Sequence, residues 1–183
     1  MDNLLGGMYY KDKICSIVED HIGPKENILE VCCGCGVIGK AILQNDLAQN
    51  VTFSDIQDLS HDHINFIQSD GLQSITDKYE LIICSPPWYN SELPPAAILN
   101  HMAPVLWQDK DWKFHKQFYK DVTNNLTDNG SVLITNCFDS RKPSEWKDMC
   151  SLTLRDIFIY DSHILRNKTI YPRNYVLWWQ NDK

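Results

Sequence analysis

Ile28-Leu29-Glu30-Val31-Cys32-Cys33-Gly34-Cys35-Gly36-Val37-Ile38-Gly39 limits the fold of this chain more than any other stretch. An apolar run carrying one acid meets three glycines in quick succession. It reads as a buried strand over 27–32, a tight turn, and a helix over 36–44. Glycines in such a turn let backbone N–H groups approach a ligand closely, at the positive end of the helix dipole. Gly34, Gly36 and Gly39 match the G-x-G-x-x-G spacing of dinucleotide sites, so the turn alone names no ligand.

The rest of the chain repeats the alternation of short β-rich runs with amphipathic stretches that builds a parallel α/β sheet. Strands are expected over 51–54, 64–67, 79–84 and 131–135, with two more over 152–160 and 175–179 as an antiparallel pair. Phe114, Phe118, Val122 and Leu126 recur every four residues, predicting a helix capped by Asp111. Thr127-Asp128-Asn129-Gly130 reads as a turn, and 143–150 as a short helix with proline in its first turn. A helix over 9–22 is expected to lie across the sheet or over the site. With 183 residues the chain is expected to form a single domain over 1–183, with 1–25 as a helical cover segment.

Charge and cysteine usage narrow the function classes. Residues 1–90 carry 5 Lys and Arg against 13 Asp and Glu, a net of -8; residues 91–183 carry 12 against 11, a net of +1. No basic stripe forms, so extended nucleic acid is not an expected partner. No apolar run reaches the ~18–20 residues that span a bilayer, and no membrane association is expected. The chain starts without a signal-peptide pattern and has seven cysteines, three of them crowded at Cys32, Cys33 and Cys35. Reduced thiols and a cytoplasmic location are expected.

Four signals follow one another at strand ends. Glu30 stands four residues before Gly34. Asp55 ends the second strand about 20 residues beyond the turn, where an acid can accept both hydroxyls of a ribose. Asp70-Gly71 follows the third strand. Ser85-Pro86-Pro87-Trp88 follows the fourth. Together they resemble the class I S-adenosylmethionine (SAM) methyltransferases, and within them the amino-group methyltransferases with an (Asp/Asn/Ser)-Pro-Pro-(Tyr/Phe/Trp) motif. The chain is most similar to the release-factor glutamine methyltransferase group, over about 27–134. Cys32 stands where that family usually has the first of three alternate glycines, and Ser85 where the group usually has asparagine.

The resemblance implies a Rossmann-like, seven-stranded, mostly parallel sheet with its last strand antiparallel, and SAM as cofactor. It implies that Glu30 orients the methionine end, with Cys32, Gly34 and Gly36 leaving the backbone room. Asp55 and Ile56 would hold the ribose side, and Asp70 and Gly71 the adenine. Ser85, Pro86, Pro87 and Trp88 would hold a planar nitrogen in line with the methyl group, and Tyr9, Tyr10 and Tyr89 would line the acceptor. The residue types suit that chemistry. The Ser85 hydroxyl and the Pro86 carbonyl can accept the nitrogen's hydrogens, two prolines fix the carbonyl without needing donors, and Trp88 can stack on the flat group. Expected acceptors are a protein glutamine or a small-molecule amine. A nucleobase, single-stranded or flipped, fits the same four residues. A non-catalytic SAM-binding subunit and a nicotinamide dehydrogenase are the rival readings, and a partner subunit to close the site stays open.

Other clusters read more plainly. Cys32, Cys33, Cys35 and Cys84 lack the paired spacing of structural zinc, and no metal is expected. His61-Asp62-His63 reads as a solvated loop rather than an acid–base or metal group. Trp107, Trp112, Trp178 and Trp179 read as packing residues.

Overall fold

The computed structural model describes residues 6–90, 107–138, 140–160 and 174–183. Helix α1 (Gly6–Ile17) runs on as a π-helical turn, Val18–Ile22, and ends at Gly23. Then come β1 (Lys25–Val31), α2 (Val37–Gln44), β2 (Ala48–Asp55), β3 (Phe66–Gln68) and β4 (Tyr79–Cys84). The second half holds α3 (Lys113–Asp121), β5 (Leu126–Cys137), a 3-10 helix (Pro143–Met149), β6 (Thr153–Tyr160) and β7 (Asn174–Gln180).

The strands form one sheet in the order β3-β2-β1-β4-β5-β7-β6. All neighbours from β3 to β5 are parallel, and β7 runs antiparallel to both β5 and β6. Central strands are apolar on both faces because helices cover both. Alternate residues therefore feed two cores. Ile82, Cys84, Val132, Ile134 and Leu177 face Phe118, Tyr119 and Trp146. Leu81, Ile83, Leu133 and Val176 face Tyr10, Ile14, Ile38 and Ile42 of α1 and α2. In the first core the Trp146 indole N–H donates to Tyr175 Oη (2.7 Å), whose hydroxyl donates to the Arg141 carbonyl (2.6 Å). Consecutive strands step one way from β1 to β3 and the other way from β1 to β4. That reversal opens a crevice at the strands' carboxyl ends, the place where open α/β sheets bind ligands.

The seven strands, the mostly parallel sheet and the antiparallel β7 agree with expectation; several local expectations do not. Asp111 does not cap α3: it and Trp112 adopt left-handed φ of 57° and 54°. The cap comes from Asp109, whose carboxylate accepts the N–H of Phe114 (2.8 Å) and of His115 (3.1 Å). Leu126 is buried as its spacing requires, but opens β5 rather than closing α3. The 127–130 turn lies inside β5 as a bulge. Register with β4 passes from Tyr79↔Leu126 to Leu81↔Ser131, and Asn129 has φ 60°. The polar connection between β6 and β7 lies outside the described residues.

Candidate active site

The loop after β1 carries its left-handed residues at alternate positions: Cys32 (φ 56°), Gly34 (φ 50°) and Gly36 (φ 68°). This backbone explains the glycine pattern, and it puts a non-glycine residue where such a conformation costs about 1–2 kcal/mol. Gly36 is also needed for space. A Cβ there would stand 2.5 Å from His63 Cε1 and 2.8 Å from Phe53 Cε1. At Gly39 a Cβ would stand 2.6 Å from Glu30 Oε2, so α2 approaches β1 closely only without a side chain.

Glu30 is 1% exposed, and its Oε2 accepts the Gly39 N–H at 2.8 Å. Burial pushes its carboxyl up to about 8, against the pull of the α2 backbone N–H groups. Asp55, at the end of β2, uses each oxygen once: Oδ2 accepts the Gly34 N–H (3.0 Å) and Oδ1 the Gln57 N–H (3.1 Å). Carboxylate oxygens have lone pairs to spare, so both can accept a further hydroxyl. Ile56 beside it is 48% exposed, a large apolar side chain left at the rim. The Ser69 N–H donates to the Asp55 carbonyl (2.9 Å), which brings exposed Asp70 and left-handed Gly71 to the same end of the sheet.

Ser85 leaves β4 with its N–H on the Val31 carbonyl (3.3 Å), next to the glycine loop. Its Oγ accepts a hydrogen bond from Thr135 Oγ1 at 3.1 Å, and Thr135 is fully buried. The donor fixes the hydroxyl oxygen in place and leaves a lone pair for an incoming N–H. Pro86 is buried, and Trp88 is half-buried with its ring edge-on to Tyr10 (centroids 5.5 Å apart, 68° between planes). The Trp88 indole N–H is buried and finds no hydrogen-bond partner among the described residues.

The structure brings Glu30, Cys32, Gly34, Gly36, Asp55, Ile56, Asp70, Gly71, Ser85, Pro86, Pro87 and Trp88 to the carboxyl ends of β1–β4. Tyr10 and Tyr89, expected to line the acceptor, are both buried. Tyr10 is 0% exposed, backs Trp88 and donates to the Asn136 carbonyl (3.2 Å). Tyr89 is 8% exposed and packs with Trp107 and Cys137. The side chain of Tyr9 lies outside the described residues. The thiols diverge in the loop after β1: Cys32 packs in one core with Cys84, and Cys33 in the other. Contact with Cys84 and burial push the Cys32 thiol well up, and burial does the same for Cys33, so both stay neutral wall residues.

Two histidines emerge that sequence reading placed elsewhere or passed over. His63 is not solvated. It is 6% exposed, stacked on Phe53 at 4.4 Å, beneath the glycine loop. His115 is wholly buried, with Nδ1 2.6 Å from Asp109 Oδ2 and its ring 4.4 Å from that of Trp146. Burial pushes its pKa below the usual histidine value, so it stays neutral and donates from Nδ1. The Asp109 N–H in turn donates to the Tyr89 carbonyl (2.8 Å), tying the start of α3 to the segment that follows Trp88.

Comparison with known proteins fits this arrangement. No family model matches the chain. The release factor glutamine methyltransferase of Streptococcus pneumoniae (strain ATCC BAA-255 / R6) is 26% identical over 136 residues, covering 64% of this chain and 48% of the relative. The protein of the same name from Lactococcus lactis subsp. lactis (strain IL1403) is 25% identical over 123 residues, covering 58% and 46%. The chain thus spans about half the length of the curated relatives it matches. Among solved structures, N-methyltransferase NodS from Bradyrhizobium japonicum WM9, in complex with S-adenosyl-l-homocysteine (SAH), superposes with a TM-score of 0.64 at 10% identity, over 99% of this chain and 89% of that one. The chain has the class I methyltransferase fold. A SAM-dependent methyltransferase from Clostridium acetobutylicum ATCC 824 gives the same score at 12% identity, over 96% and 92%. At such identities the likeness concerns the fold alone. Among the described residues, no helix of this methyltransferase-fold chain is long and apolar enough to cross a membrane.

Proposed function

We propose that the chain is a SAM-dependent N-methyltransferase acting on a planar amide or amine nitrogen, with a protein glutamine as the leading acceptor. One observation carries the reading. The buried Thr135 hydroxyl donates to Ser85 Oγ at the carboxyl end of β4, beside the glycine loop, and we read that oxygen as aimed at an incoming amine. A binding scaffold has no use for such an aimed acceptor. The names of the two curated relatives support glutamine as the acceptor class.

The residues present fit SAM. The left-handed loop over 32–36 offers backbone at close range, and Asp55 has free lone pairs for two ribose hydroxyls. Ile56 offers an apolar rim beside Asp55 on the ribose side, and Gly71 leaves room for the flat adenine, with the Asp70 side chain near its amino group. Glu30 holds the start of α2 through Gly39, and so sets the loop that meets the methionine end. Bound SAM would supply an electrophilic methyl group on a sulfonium sulfur. Ser85 Oγ and the Pro86 carbonyl accept the hydrogens of the acceptor nitrogen and turn its lone pair toward the crevice. Trp88 stacks on the planar group, and Tyr10 keeps Trp88 from turning away. The catalytic contribution is positioning, which is worth orders of magnitude when reacting atoms are held at near-attack distance. No two of the described cysteines are disulfide-bonded, which supports a cytoplasmic, reducing setting.

The test is transfer of labelled methyl from SAM to glutamine-containing peptides, nucleosides and free amines. Ser85→Ala and Trp88→Ala are expected to cut transfer about 100-fold while SAH affinity stays within about threefold. Full transfer activity in both variants would remove the site from consideration.

A further inference from the structure

Gly34 is held from both sides by residues distant in sequence. Its N–H donates to Asp55 Oδ2 at 3.0 Å, and its carbonyl oxygen lies 3.0 Å from His63 Nε2. A carbonyl only accepts, so Nε2 carries the hydrogen of this bond. The ring has little freedom to leave. It stacks on Phe53 (4.4 Å, 16° between planes) and lies 6.0 Å from Phe66 at 18°. Cys33 Sγ stands 3.9 Å from the same nitrogen, and Gly36 presents no Cβ to the ring edge. Nδ1 is buried without a partner among the described residues. The shorter of the two polar contacts made by Nε2, to the Gly34 carbonyl, ties this buried imidazole to the loop.

We propose that His63 is a positioning residue for the cofactor loop, fixing the Gly34 peptide from its carbonyl side while Asp55 fixes it from its N–H side. This rests on the reading that the loop holds SAM. A left-handed peptide tethered at both ends keeps its plane, so the backbone facing the ligand is organised before binding and less ordering is needed on association. It also links the two halves of the cofactor site. Asp55, the ribose acid, is oriented by the same glycine that His63 holds.

The test compares the wild-type chain with His63→Phe, which keeps the stacked ring and loses the donor, and His63→Gln, which keeps an Nε2 donor at similar reach. SAH is titrated by calorimetry, and amide hydrogen exchange of Gly34 and Gly36 is followed in the free chains. The Phe variant is expected to bind SAH roughly tenfold more weakly and to exchange the loop amides faster, the size of one lost hydrogen bond. The Gln variant is expected to stay within about twofold of wild type in both. A Phe variant as tight and as protected as wild type overturns the proposal. Equal losses in both variants also overturn it, because ring packing would then be the whole effect. If wild type itself fails to bind SAH, the cofactor reading falls, and the exchange data still decide whether His63 holds the loop. If the Phe variant does not fold, the nitrogen shifts of wild-type His63 decide: protonation at Nε2 supports the bond and protonation at Nδ1 overturns it.

Discussion

Replacing Glu30 with glutamine is expected to remove a large part of the pH dependence of stability between about pH 4.5 and 8. The side chain is 1% exposed, and its carboxyl is raised to about 8 by burial, against an ordinary value near 4.5. Between those two values the folded chain holds a proton that the unfolded chain has released. Stability must therefore fall as pH rises through this window, and level off above it. Glutamine keeps a carbonyl oxygen for the Gly39 N–H and has nothing to titrate. Urea unfolding at pH 5 and pH 8.5 measures the effect. The loss of stability between those pH values should be about 2–4 kcal/mol larger in wild type than in Glu30→Gln, because every other titrating group contributes equally to both chains. An unchanged slope, with the variant weaker at every pH, would mean that Glu30 is ionised in the folded chain.

The second large effect is expected from a single methyl group. Gly36→Ala puts a Cβ 2.5 Å from His63 Cε1 and 2.8 Å from Phe53 Cε1, on a backbone whose φ of 68° already disfavours an L-residue. Strain and overpacking together should cost about 2–4 kcal/mol. The displaced ring is the one that holds Gly34, so SAH affinity should fall by roughly 100-fold even in the fraction that stays folded. Adding His63→Ala makes room, and should return part of the stability while leaving binding weak. If stability and binding recover together, or neither moves in the single variant, the packing of the ring under the loop is misassigned. The contrast with Cys32 is instructive. Cys32 has a similar φ of 56° but packs against Cys84 rather than against a ring edge, so a small side chain is tolerated there.

Much of the fold was legible because apolar runs and turn residues agree with each other. The residues 28–39 place strand, loop and helix directly, and Pro86-Pro87 stops β4 where the site begins. What stayed hidden depended on contacts between distant segments. His63 and Ile64 are adjacent, and hydropathy alone would bury the isoleucine. The structure does the reverse, with Ile64 fully exposed and His63 inside, because Gly36 leaves a ring-sized gap beneath the loop. The useful signal was the missing Cβ at Gly36 rather than anything in the His61-Asp62-His63 run. The series Phe114, Phe118, Val122, Leu126 reported burial faithfully. It ran past the helix because Val122–Asn125 tightens to 3-10 geometry before the strand opens. Asp111, the cap expected from the sequence, lies two residues after the carboxylate that caps α3. Only the left-handed pair Asp111 and Trp112 sends the earlier carboxylate back to the start of α3. Tyr10 shows the same limit: its burial depends on where α1 crosses Trp88, which no local pattern encodes.

The most direct measurement is a calorimetric titration of the purified chain with SAM and with SAH, repeated on Asp55→Ala. Micromolar binding of both ligands to wild type, weakened at least about tenfold by loss of the Asp55 carboxylate proposed to hold the ribose hydroxyls, is the expected result. Absence of binding by wild type at millimolar ligand, or equal affinity in the Asp55→Ala chain, would contradict the assignment of this crevice to SAM.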